Sequence, residues 1–198
     1  MKRTVEVIAG LGLLVLTTSV YAGSRTSMVV PRGDTESRVQ FVSDAPLEKI
    51  TGVGDGVSGA VQFDPSAVKA TKGTLTLDVA SIKTNLALRD EHLQGPDWLD
   101  AKKYPKIKFT IAKVEGSDAL APNRTQELKV KGKLFMHGVT RDEVATAKVR
   151  WVPADGVHVR AEFNVNLTRY NISVPSLVRL KVSDEINLNI MLKVKPKK

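Results

Sequence analysis

From Val39 to the end of the chain, apolar side chains recur at every second position. This is the period of strands with one face buried, and it constrains the fold more than anything else in the sequence. Val39 and Phe41 open the pattern, and residues 57–63 (VSGAVQF) continue it after a glycine-rich turn at Gly52, Gly54 and Gly56. In residues 74–79 (TLTLDV) Leu75, Leu77 and Val79 share a face; in residues 108–114 Phe109 and Ile111 do so. Residues 128–136 alternate Leu128, Val130, Leu134 and Met136, with Gly132 where a strand bends or a neighbour approaches closely. His137-Gly138 predicts a tight turn into residues 140–152, where Ala145, Ala147, Val149 and Trp151 alternate. After a turn at residues 153–156 come residues 157–167, with Phe163 inward, and residues 186–194, which read I-L-I-L-V at alternate positions through Leu188 and Ile190. Eight to ten strands with one apolar face predict an all-β antiparallel barrel or sandwich.

One stretch departs from this period. Residues 85–104 (NLALRDEHLQGPDWLDAKKY) have helical composition and spacing, with Leu86, Leu93, Trp98 and Leu99 as the apolar side. Gly95-Pro96 predicts two short helices, Asp97 caps the second and Pro105 stops it. Such an excursion between strands is placed to cover one mouth of a barrel.

The amino terminus reads as a secretory signal peptide. Lys2 and Arg3 precede an apolar stretch over residues 7–16, and Val20-Tyr21-Ala22 puts small residues where signal peptidase needs them. Ten apolar residues are too few to cross a hydrocarbon core, which takes about 20. Cleavage after Ala22 takes 22 of the 198 residues and leaves 176, enough for one domain. The predicted organisation is a signal peptide over residues 1–22, a flexible or edge-lying lead-in over 23–37 and a barrel over 38–195. The chain has no cysteine, which excludes disulfides and a lipoprotein anchor. The expected location is therefore a periplasm, reached through the cleaved signal.

Net charge is +9, of which Lys2, Arg3 and Glu6 carry +1, leaving +8 on the mature chain. The basic residues are scattered and do not interleave with aromatics, so nucleic acid is not an expected partner. Peripheral membrane contact and a homodimer stay open.

Catalytic patterns are scarce. There is no G-x-S-x-G elbow, no phosphate-cradling glycine loop and no H-E-x-x-H. His92, His137 and His158 lack metal-ligand spacing, so no metal, no cofactor and no catalytic residue is expected. Arg89, Asp90, Glu91 and His92 form the densest polar cluster. Arg89, Asp90 and His92 can meet a ligand's polar head at a barrel mouth, or the cluster can simply stabilise the helix.

Taken in order, these pieces resemble the YceI-like family. The resemblance rests on Phe63-Asp64, Ser81-Ile82-Lys83-Thr84, Arg89-Asp90-Glu91-His92-Leu93, the run from Trp98-Leu99-Asp100 to Tyr104-Pro105, and Ile107-Lys108-Phe109. Gly132-Lys133-Leu134, His137-Gly138-Val139-Thr140 and Val182-Ser183-Asp184-Glu185-Ile186 extend it, so that it covers residues 39–194. It implies an extended, lipocalin-like barrel of about eight strands, in an exported bacterial protein that holds a polyisoprenoid or other fatty amphiphile. In that setting Phe63, Leu75, Leu77, Leu93, Trp98, Phe109, Ile111, Leu134, Phe163, Leu188 and Ile190 are expected to line the cavity. Two other functions compete with a lipid carrier: a closed barrel whose basic surface docks an envelope partner or membrane, and a lipid head-group enzyme working through Arg89, Asp90 and His92.

Overall fold

The computed structural model describes residues 26–197. The signal peptide assigned to residues 1–22 lies outside them. Eleven strand segments make one antiparallel sheet: β1 (Thr26–Val30), β2 (Arg38–Asp44), β3 (Lys49–Gly54), β4 (Val57–Phe63), β5 (Lys72–Asp78), β6 (Ile82–Lys83), β7 (Lys106–Gly116), β8 (Thr125–Met136), β9 (Val139–Val152), β10 (Gly156–Asn166) and β11 (Glu185–Pro196). Eight of them close a barrel in the order β1-β4-β5-β7-β8-β9-β10-β11, and β1 returns to β11 through Met28↔Pro196 and Val29↔Lys195.

The remaining three segments continue strands of that barrel past a break. Both β1 and β2 run antiparallel to the same edge of β11, and residues 31–37 bulge out between them. Asp55-Gly56 separates β3 from β4, and a 3-10 turn, Val79–Ser81, separates β5 from β6. The three breaks adjoin. Arg32 reaches Asp78 at 2.9 Å, and the Asp78 amide donates to the Gly56 carbonyl. A closed sheet must bend sharply to accommodate twist, and interrupted strands supply that bend.

Alternation sets the inside and outside of the barrel. On β8, Leu128, Leu134 and Met136 are buried while Lys129, Lys131 and Lys133 are exposed; on β9, Ala145, Ala147 and Val149 are buried while Lys148 and Arg150 face water. The His137-Gly138 turn forms as expected, with φ of 49° and 77°, the pair of positive values that a two-residue hairpin of matching twist requires.

Three expectations need correction. Residues 23–37 are not a flexible lead-in throughout, because residues 26–30 are the strand that zips β4 to β11. Gly52 and Gly54 belong to a strand, and the turn sits at Asp55-Gly56. Gly52 is required there because the Phe41 ring of the neighbouring strand occupies its side-chain space, with Cε1 only 2.2 Å from where a Cβ would stand. Residues 85–104 hold one helix, α1 (Ala87–Gln94), rather than two. The extended backbone of Gly95 (ψ 171°) ends α1, and residues 95–104 proceed by turns in which the Gly95 carbonyl accepts from Trp98 and Asp100.

Candidate functional site

The barrel encloses a cavity of about 830 Å³ that runs through both apolar clusters of the protein. One end is sealed. The connection after β4 and the one after β7 cross beneath the barrel, where Val68 N–H donates to the Asp118 carbonyl at 2.9 Å and Leu120 N–H to the Pro65 carbonyl at 2.8 Å. This places Val68 and Leu120, both almost wholly buried, as a floor beside Met28 and Phe63. The other end is a mouth framed by the β2–β3 hairpin (residues 45–48), by α1 with its preceding turn, and by residues 167–184 between β10 and β11.

All eleven side chains expected to line the cavity do line it. Phe63, Leu75 and Ile111 belong with the cluster at the floor, Phe109, Leu134, Phe163 and Leu188 with the cluster at the mouth, and Leu77 touches both. Leu93 and Trp98 reach the cavity from the excursion after β6, and Ile190 from β11. Room comes from small residues and from rings laid flat. Ala145, Ala147 and Ala161 line one wall. Phe109 lies across Gly132, where a Cβ would come within 2.4 Å of its ring, and meets Phe163 at 6.1 Å between ring centres. The sheet shifts register opposite Gly132, between Ile111 and Lys113, which is the bend expected at that glycine.

The ionisable side chains on the cavity wall are Glu48, Arg89, His92 and Lys181, and all of them sit at the mouth. The expected head-group trio is therefore split. Arg89 and His92 face the cavity, whereas Asp90 does not and is buried in the wall of the mouth. Its Oδ1 accepts from the Thr84 amide and the Thr84 hydroxyl, both at 2.6 Å. The hydroxyl bond outweighs burial, which acts in the opposite direction, and holds the Asp90 carboxyl below its ordinary pKa. Thr84 Oγ1 in turn accepts from Arg89 Nε at 3.0 Å, and Arg89 Nη1 donates to Glu48 Oε1 at 2.8 Å. One chain of bonds thus ties α1 to the turn before it and to the β2–β3 hairpin.

The sequence reading missed Glu48 on the β2–β3 hairpin and Lys181 on the loop over residues 167–184 as site residues. That loop alternates only over residues 178–182 and forms turns there rather than a strand. A buried polar anchor holds its base: the Tyr170 hydroxyl donates to Glu143 at 2.8 Å, Arg169 pairs with Glu143 at 2.9 Å, and His137 Nδ1 lies 3.0 Å from the Tyr170 carbonyl. Burial and the Glu143 carboxylate push the Tyr170 hydroxyl above its ordinary pKa, so it stays a proton donor. Among the described residues, no group of three or more His, Cys, Asp or Glu side chains is placed to hold a metal ion.

A closed antiparallel barrel with one mouth and an apolar bore has known counterparts. The family model of the YceI-like domain matches residues 33–194. The chain belongs to the YceI-like family. A UPF0312 protein of Vibrio cholerae is 26% identical over 149 residues, covering 75% of this chain and 74% of that one. Among solved structures, Burkholderia cenocepacia BcnA superposes with a TM-score of 0.69 at 24% identity, covering 80% of this chain and 95% of BcnA. A polyisoprenoid binding domain from Saccharophagus degradans, implicated in plant cell wall breakdown, superposes with a TM-score of 0.68 at 17% identity, covering 88% and 100%. At these identities the two likenesses establish the fold. The family model begins at residue 33, so β1, the strand that closes the barrel, precedes the matched region.

Proposed function

We propose that this YceI-like protein holds one isoprenoid-like or similar long-chain amphiphile in its barrel, tail toward the floor and polar end at the mouth. The reading rests above all on the polarity of the cavity: an apolar bore with its charged wall residues gathered at one end. The polyisoprenoid-binding neighbour supports the same chemistry. A volume of 830 Å³ has room for on the order of 25 chain carbons, taking ~30 Å³ for a water-sized group. Burying 20 of them gives a gross ~16 kcal/mol at about 0.8 kcal/mol each. At the ~0.3 kcal/mol per heavy atom that flexible ligands realise, about 6 kcal/mol remains, in the range of tens of micromolar. Selection would follow length and shape, with Arg89, His92 and Lys181 favouring an anionic or hydrogen-bonding head.

A diffusible holder of this kind fits carriage or sequestration of a water-insoluble chain in the periplasm, beyond the membrane that the amino-terminal signal addresses. Binding accounts for the site without a catalytic step. Mass spectrometry of an organic extract of protein purified without detergent tests the proposal. A co-purifying prenyl or fatty chain is the expected result. Lipid-free protein that also takes up no prenyl alcohol would overturn it.

A further inference from the structure

Seven large apolar side chains are exposed among the described residues, and five of them are leucines on the segments that frame the mouth: Leu47, Leu86, Leu88, Leu177 and Leu180. Each is more than half exposed, and Leu177 is 95% exposed. The other two, Val53 and Val144, lie on strands, and the floor end has none. The leucine-bearing segments are bound to one another: the Leu47 amide donates to the Leu180 carbonyl at 2.8 Å, and Glu48 holds Arg89 of α1. The leucines therefore form a fixed rim around the opening through which a ligand must pass. An apolar collar on an otherwise charged surface marks a docking site.

We propose that this rim seats the protein, mouth down, on a bilayer containing anionic phospholipid. The charge of the most exposed loop points to that occupant. Between residues 173 and 183 the charged side chains are Arg179 and Lys181, alternating with Leu177, Val178, Leu180 and Val182. Neither has an acidic partner among the described residues; Arg179 bonds the Val174 carbonyl at 3.5 Å. Nearby, Asp44 and Glu48 are taken by Lys49 and Arg89, and Asp90 is buried on Thr84, which leaves Glu91 and Asp184. Leucines that enter the acyl boundary, flanked by cations at head-group level, are the composition of an interfacial segment. A second copy fits less well, because a two-fold contact through this loop sets its cations against themselves. A barrel spanning the bilayer is excluded by the lysines on the outer faces of β8 and β9. Docked this way, a water-insoluble chain passes between bilayer and bore without crossing water. The proposal goes beyond ligand holding and stands or falls separately from it.

Flotation with vesicles of equal parts phosphatidylglycerol and phosphatidylcholine is the test. The wild type should float. Leu177→Asp with Leu180→Asp should weaken partitioning at least about tenfold. Arg179→Gln with Lys181→Gln should lose about tenfold on these vesicles and little on phosphatidylcholine alone. Ala147→Phe with Ala161→Phe, which fills the bore, should float as the wild type does, so a failure of lipid holding is told apart from a failure of docking. Leu47→Ser repeats the rim test from another segment should the aspartate pair misfold. Wild type that stays with the soluble fraction, or rim variants that float unchanged, would overturn the proposal. So would a wild-type dimer that the rim substitutions dissociate, since the rim would then belong to a second copy.

Discussion

At one end of the barrel Val68 and Leu120 sit on two segments that cross the bore, almost wholly out of water; at the other, Leu47 and Leu177 stand 69% and 95% exposed. The residue types are alike, and the difference lies in what the backbone does around them. At the floor, connections laid across the bore hydrogen-bond to each other and leave the apolar side chains no direction but inward. At the mouth, the segments bond side by side around the opening, so that Ile172 and Val174 turn inward while five leucines are left uncovered. A barrel that only needed to be stable would be built like the floor at both ends, so the uncovered end reports function.

The same kind of substitution should therefore have opposite results at the two ends. Val68→Asp buries a carboxylate with no partner and should cost about 3–5 kcal/mol, read as a large loss in denaturation midpoint or failure to fold. Leu177→Asp should leave the midpoint within about 0.5 kcal/mol of wild type. If the two proved similar, the contrast between sealed and open ends would collapse. Between these extremes, Ala147→Phe with Ala161→Phe should abolish uptake of a fluorescent fatty probe, at least about tenfold in Kd, because rings take the volume the tail needs. Its effect on stability should stay under about 3 kcal/mol, since the bore has space to receive them.

A gentler probe of the mouth is its acid response. Asp90 titrates below its unfolded value of about 3.9, so its contribution is fully present above that pH and is lost as pH falls through the lower folded value. Asp90→Asn should lower the melting temperature at neutral pH, and the gap to wild type should close on acidification below about pH 4. A gap that stayed constant down to pH 2 would remove Asp90 from the clamp on α1. Smallest of all, Arg89→Lys should keep the charge opposite Glu48 but lose the fork that also reaches Thr84, shifting head-group preference by about twofold with little change in tail affinity.

The long strands were legible because one face of each is buried along its whole length, which alternation records directly. β3 was not, because Gly52 and Gly54 remove apolar side chains at the positions where the Phe41 ring and the Leu77 and Ile82 side chains fill the space. β1 was not, because it offers only Met28, Val29 and Val30 as apolar residues, and its partners are β4 and the far end of the chain. At the site, alternation marked the inward face of each long strand, while Leu93 and Trp98 came from the helical excursion. The mouth was harder. Asp90 looked available because it sits between charged neighbours, and nothing in that run signals that Thr84, six residues earlier, takes its carboxylate. Residues 178–182 alternate apolar and charged side chains as a strand would, yet they fold as turns, so only the folded loop shows which way Lys181 and the leucines point.

The pairing of Met28 with Pro196 joins the first described strand of the barrel to the last. Loop closure over nearly the whole chain is entropically unfavourable and slow to form, so this seam is expected late in folding. A chain emerging amino terminus first cannot complete the ring until the 12 residues of β11 have been made and released. Until then β1 keeps an unpaired edge, and the bore has a gap along its side as well as a mouth. The same strand order that gives the finished barrel no exposed seam there keeps the growing chain open from end to end.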